Sequence, residues 1–274
     1  TRQTPVAVVR KKSRERKPRA GGEDRKTSPA MITEAVTRSY HRWHSPVLQR
    51  DMELLVFGHG GARVVAFPTS AGRFFDWEDR GLIAALSDHL TNGWIQIICV
   101  DSVDGESWYA KHLHPADRVK RHMQYDEYVL NEVLPFSAAR NPNPFLIVTG
   151  ASFGAYHAAN FAFRYPHLVG RMIGLSGYYD VKRWTGGYSD DNVYFNNPCD
   201  FLAHEHDAAR LKALRAIDII LAIGRTDSAL ANNEYLSKVL WSKGIGNALR
   251  IWDGFAHEWS TWEQMLRLYI GGHD

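Results

Sequence analysis

The chain has 274 residues, 45% hydrophobic and 12% aromatic, which is enough apolar side chain to bury a full core and excludes a disordered polymer. Its two cysteines, Cys99 and Cys199, stand in unrelated contexts and exclude a disulfide framework. The formal charge of +3 is unevenly spread: residues 1–30 carry ten Lys/Arg against three Asp/Glu, a net of +7, which leaves 3 − 7 = −4 for the remainder.

That charge step divides the chain. Residues 1–38 read as a basic, flexible N-terminal arm and residues 39–274 as one folded domain. A basic arm can hold nucleic acid or an anionic surface, but no aromatic residues interleave with its charges, and a solvated tail is the plainer expectation. Neither a secretory signal nor an apolar run of membrane-spanning length is present, and the start at Thr1 fits a processed or trimmed chain. The expected compartment is the cytoplasm.

After the arm, Ser39 to Gln49 leads into apolar Glu53 to Gly58, a His59-Gly60-Gly61 turn and apolar Ala62 to Phe67, which predicts an antiparallel hairpin between those last two runs. Then the periods alternate. An amphipathic run near Trp77 to Leu90 precedes a strand at Trp94 to Asp101, and a helix near Asp117 to Leu134 precedes a strand at Phe145 to Thr149. Strands at Arg171 to Leu175, Ala216 to Ile223 and Ala248 to Trp252 follow, with helices near Ser228 to Ser242 and from Ser260 to Tyr269. Such alternation predicts an α/β fold with a mostly parallel central sheet, helices on both faces and an antiparallel N-terminal hairpin.

The chemistry centres on Gly150-Ala151-Ser152-Phe153-Gly154, between the strand at Phe145 and a small-residue helix. A serine on so tight a strand-to-helix turn stands clear of the sheet, and glycines two residues to either side let backbones approach without Cβ clashes. Serine needs a base, normally a histidine oriented by a carboxylate, and in open α/β sheets such groups collect at the carboxyl ends of strands. Asp227 follows the strand at Ala216 to Ile223, and His257 follows the last strand. The candidate triad is therefore Ser152, Asp227 and His257; Asp253, Glu258, Asp191 and Asp200 are the rival acids.

An oxyanion needs two donors. One candidate is the Phe153 backbone N–H at the start of the elbow helix. The other is the Ser70 backbone N–H, in the loop Phe67 to Arg73 after the second hairpin strand, with Ala71 as its neighbouring alternative. Trp108, Tyr178 and Trp259, with Tyr109, Tyr179, Trp184, Tyr194 and Phe195 as further members, are candidate substrate-pocket walls, Trp108 and Tyr178 being expected to face solvent. The pairs His112/His114 and His204/His206 lack a third ligand at metal-binding spacing, so no metal site is expected.

Together, the elbow, the Ala-rich helix running to Tyr165-Pro166, the strand end Gly174-Leu175-Ser176-Gly177 and His257-Glu258-Trp259 resemble the putative-esterase family of α/β-hydrolases. That family includes S-formylglutathione hydrolases, feruloyl esterase domains and mycobacterial mycolyltransferases. The resemblance spans roughly residues 40–270 and implies the α/β-hydrolase fold, a Ser-His-acid triad carried by Ser152, His257 and Asp227, small-molecule acyl-ester substrates and no cofactor. The loop Pro68-Thr69-Ser70-Ala71-Gly72 departs from the His-Gly or Asp-Gly usual there, which leaves the second donor open between Ser70 and Ala71. Ester hydrolysis through an acyl-enzyme is the expected activity; acyl transfer on the same triad and a non-catalytic binding protein on the same scaffold are the alternatives.

Overall fold

The computed structural model describes residues 36–272. Of the arm, only residues 36–38 fall within that range, and Arg38 already opens the first strand; the rest of the arm lies outside the described residues.

Among the described residues, eight strands form one sheet. They are β1 (Arg38–Ser45), β2 (Arg50–Phe57), β3 (Ala62–Phe67), β4 (Ile95–Val100), β5 (Leu146–Ala151), β6 (Arg171–Leu175), β7 (Asp218–Gly224) and β8 (Ala248–Trp252). Their order across the sheet is β1-β2-β4-β3-β5-β6-β7-β8. β1 and β2 are antiparallel to their neighbours, and every pair from β4 through β8 is parallel.

The antiparallel hairpin is present, but one strand earlier than the turn signals predict. β1 and β2 form it, closing through Pro46 to Gln49, where the Gln49 amide returns to the Ser45 carbonyl and Ser45 Oγ accepts the Leu48 amide. β2 and β3 are not paired, because β4 lies between them. The glycines that resemble a hairpin turn serve another purpose: Gly58 and Gly61 have positive φ, and a Cβ on Gly61 would strike the Trp94 backbone where the link passes the start of β4. The link is anchored there by Ala62 N–H donating to the Trp94 carbonyl.

Side-chain alternation sends each strand's residues to two layers. Val65, Phe67, Ile98, Val100 and Val148 enter one apolar core, and Val64, Ala66, Ile97, Cys99 and Ile147 enter the other on the opposite face. β4 and β5 are buried at every position, as strands covered on both faces must be, whereas edge strand β8 is only half-buried along its whole length. The helix Phe153–Arg164 is buried from Phe153 to Phe163, and its alanines 155, 158, 159 and 162 let it lie close against the first core.

The amphipathic run after β3 breaks into three short helices, Asp76–Asp79, Leu82–Ala85 and Ser87–Thr91. The helix expected from Asp117 to Leu134 is Pro115–Tyr128, followed by a π-helical turn at Val129–Val133 and a further helix, Leu134–Arg140. Pro135, which has no N–H to give, sits at the start of that last segment, where the wider turn absorbs the loss. Cys99 and Cys199 are both free and buried.

Candidate active site

The carboxyl ends of β3, β5, β6, β7 and β8 converge on one cavity of about 640 Å³. At the end of β5 the chain turns through Ser152 with φ 56° and ψ −120°, a conformation that L-residues rarely adopt. Both flanking glycines are sterically required. A Cβ on Gly150 would collide with the Gly154 backbone, and one on Gly154 with the carbonyls of Phe67 and Pro68. The turn is held from below by the Ser152 amide, which donates to the Leu175 carbonyl at 2.8 Å.

The loops after β7 and β8 are joined by their main chains. Arg225 N–H donates to the Trp252 carbonyl at 2.8 Å and Thr226 N–H to the Gly254 carbonyl at 3.0 Å, and Gly224 leaves no room for a Cβ against Phe255. This brings Asp227 to His257: Asp227 Oδ2 lies 2.8 Å from His257 Nδ1, and His257 Nε2 lies 3.1 Å from Ser152 Oγ. With the Asp227 carboxylate accepting from Nδ1–H, the neutral ring presents its Nε2 lone pair to the serine hydroxyl. The Asp227 side chain is 2% exposed and its other oxygen accepts the Ala229 amide at 2.9 Å.

None of the rival acids reaches the histidine. Asp253 is fully exposed and 3.6 Å from Arg225, Glu258 and Asp191 are exposed, and Asp200 bonds Lys182 and Asn197. The histidine loop is itself braced, since Trp262 Nε1 donates to Ser176 Oγ, which donates to the Ala256 carbonyl.

Phe153 is the first residue of the elbow helix, so its N–H has no acceptor within that helix, and the residue lines the cavity. In the loop after β3, the two candidate donors differ. Ala71 N–H is occupied, donating to Asp104 Oδ2 at 2.9 Å, whereas Ser70 N–H has no partner among the described residues. The loop is held at several points: Thr69 N and Oγ1 both donate to Asp76 Oδ2, and Ser102 Oγ donates to the Gly72 carbonyl. Tyr109 OH donates to Ser70 Oγ at 2.8 Å, and burial pushes that phenol's pKa up, so it stays a donor.

Of the candidate pocket aromatics, Tyr179 is buried in the core and Tyr194 and Phe195 line a different cavity, whereas Tyr178 lines this one, as do Tyr109 and Trp184. Trp108 does not. Consecutive residues of the turn after Asp104–Glu106 point to opposite sides, and Trp108 turns inward, 0% exposed, against Val119, Phe153 and Tyr156, while Tyr109 turns toward the cavity. Trp259 also lies elsewhere, edge-on to Trp262 at 5.0 Å beneath Arg80. One histidine of each pair makes a local contact: His114 Nδ1 accepts the Ala116 amide to cap a helix, and His204 Nδ1 meets Tyr194 OH. Among the described residues, no three His, Cys, Asp or Glu side chains are grouped to hold a metal, and no helix is long and apolar enough to cross a membrane.

Asp104 is the site residue that sequence reasoning misses. Its carboxylate is buried, and while Oδ2 takes the Ala71 amide, Oδ1 lies 2.8 Å from Nε2 of His157 on the elbow helix. The only sequence trace of it is an acid just past the end of β4.

Residues 75–268 match the family described as "Putative esterase". That span contains the elbow, Asp227 and His257 but begins after the Ser70 loop. No curated protein matches the chain. Among solved structures, a ferulic acid esterase superposes with a TM-score of 0.69 at 16% identity, over 85% of this chain and 96% of that one. An S-formylglutathione hydrolase from Agrobacterium tumefaciens gives 0.66 at 13% identity, over 85% and 92%. A ferulic acid esterase from Anaeromyces mucronatus, solved with ferulic acid, gives 0.64 at 13% identity, over 88% and 92%. At these identities the structures speak for the shared α/β-hydrolase fold, and the family match speaks for esterase chemistry: the chain belongs to the putative-esterase family.

Proposed function

We propose that the protein hydrolyses a small-molecule carboxylic ester through an acyl-enzyme on Ser152, with His257 as general base and Asp227 as the acid that orients it. The observation that carries this reading is the unbroken line from Asp227 Oδ2 through His257 to Ser152 Oγ, with links of 2.8 and 3.1 Å, on the wall of an open cavity.

In the first step His257 Nε2 takes the Ser152 proton as Oγ bonds to the ester carbon, and the carbonyl electron pair moves to oxygen. Asp227 keeps the imidazole in the productive tautomer and stabilises its cation. The N–H groups of Phe153 and Ser70 receive the oxyanion; because Asp104 occupies Ala71 N–H, Ser70 is the donor of the pair that is available. The C–O bond to the alcohol then breaks, His257 returns the proton to the leaving alkoxide, and water repeats the sequence on the acyl-enzyme. Tyr109, Tyr178 and Trp184 wall the substrate.

The test is stoichiometric labelling by a fluorophosphonate together with burst release from 4-nitrophenyl acetate. Both are expected in the native protein and absent in Ser152→Ala. Absence of labelling in the native protein points instead to a non-catalytic binding protein, and transfer to an added alcohol that outpaces hydrolysis points to an acyltransferase.

A further inference from the structure

Among the described residues, three cationic side chains, Lys111, Arg118 and Arg183, line the catalytic cavity, and the one carboxylate that lines it, Asp227, is committed to His257. Arg118 is the informative member. It is 8% exposed, and buried charges are normally paired. Arg121, Arg164 and Arg171, also part-buried, each meet a carboxylate. Among the described residues Arg118 meets none: Nε donates to the Leu113 carbonyl at 2.8 Å, Nη1 donates to the Trp184 carbonyl at 2.7 Å, and Nη2 makes no hydrogen bond.

Those two carbonyls also build the corner. Leu113 is two residues from Lys111, and Trp184 directly follows Arg183, so one buried guanidinium ties together the two segments that carry the other cations. Arg183 lies over the rings of Tyr178 and Trp184, at 4.7 and 5.0 Å, which holds it against the aromatic wall. Neither Lys111 nor Arg183 has a carboxylate partner among the described residues. Two exposed cations alone would be a solvated patch; a buried third with a spare donor, facing the same space, is a built anion site.

We propose that Arg118, Arg183 and Lys111 form an anion subsite, and that the ester attacked by Ser152 carries a carboxylate apart from its scissile group. This rests on the reading of Ser152 as the nucleophile, so its test has an arm that needs no turnover.

In the kinetic arm, kcat/KM is compared for matched anionic and neutral esters at constant ionic strength. On the acyl side these are the mono-4-nitrophenyl ester of terephthalic acid and 4-nitrophenyl 4-methylbenzoate; on the alcohol side, 4-acetoxybenzoate and its methyl ester. A preference of about tenfold for the anion is expected in one of the two pairs, falling as sodium chloride is raised and collapsing toward unity in the Lys111→Gln/Arg183→Gln double variant. Equal kcat/KM within both pairs, or a preference that survives the double variant, overturns the subsite.

In the binding arm, terephthalate is titrated calorimetrically into Ser152→Ala. Saturable binding that weakens about tenfold or more when Lys111→Gln and Arg183→Gln are added supports the subsite; absent binding, or binding indifferent to those changes, overturns it. If no ester is turned over while terephthalate still binds in this way, the catalytic reading fails and the subsite stands.

Discussion

Asp104 Oδ1 and His157 Nε2 lie 2.8 Å apart with both side chains buried, one in the loop after β4 and the other on the elbow helix. Through its second oxygen the same carboxylate holds Ala71 N–H, next to the Ser70 donor. The elbow helix and the loop after β3 are thus referenced to one buried acid.

Asp104→Asn keeps one acceptor where two are used, so either one of these links is lost or the His157 proton moves to Nδ1, which is buried without a partner. Stability should fall by about 2 kcal/mol in urea unfolding, and kcat should fall more than KM rises, because the Ser70 donor is released while the cavity wall stays in place. A change confined to KM would separate Asp104 from the oxyanion loop.

Ser152 holds a positive φ that a side chain makes costly. Ser152→Gly and Ser152→Ala should both be inactive, but the glycine variant should be the more stable by about 1 kcal/mol, the backbone strain relieved outweighing the extra freedom of the unfolded chain. Paired thermal unfolding curves check this, and equal midpoints would mean that the elbow carries no strain.

Asp227→Asn preserves shape and the contact to Ala229 N–H but can turn an amide N–H toward His257 Nδ1, favouring the wrong tautomer. The expected loss in kcat is about a thousandfold or more, with little change in folding. Kinetics on 4-nitrophenyl acetate with a circular-dichroism control read both.

Burial holds the pKa of His122 well below its ordinary 6.5, with His157 and Arg164 adding to the effect. The unfolded chain therefore takes up a proton as pH falls through about 6.5, while the folded chain does not. From there downward, each pH unit lowers stability by about 1.4 kcal/mol until the folded-state group also titrates. His122→Gln should flatten the fall in the urea midpoint between pH 7 and pH 5.5; an unchanged slope would place the pH dependence elsewhere.

What the sequence discloses is local. The strands Arg171–Leu175 and Ala248–Trp252 have the bounds read from their apolar runs, because nothing distant competes for them. The elbow glycines are legible because their constraint acts over a few residues, and Asp227 and His257 because strand ends are marked by Gly224 and Asp253-Gly254. What escapes is set by distant partners. β1 escapes because its exposed faces are polar, and the Gly60-Gly61 link misleads because its partner, β4, comes later in the chain. Trp108 and Tyr109 are adjacent and alike, and only the direction of the turn decides which of them meets the cavity. A buried carboxylate such as Asp104 looks, in one dimension, like any surface acid.

The proposed nucleophile and its proposed base also differ in how firmly they are rooted. Ser152 grows from β5, buried at every position in the middle of the sheet, whereas His257 follows β8, the half-buried edge. Edges open first, at a fraction of the free energy needed to melt the centre. The expected consequence is that under gentle heating or low denaturant activity falls before the far-ultraviolet signal of the sheet does, and returns as the last strand closes.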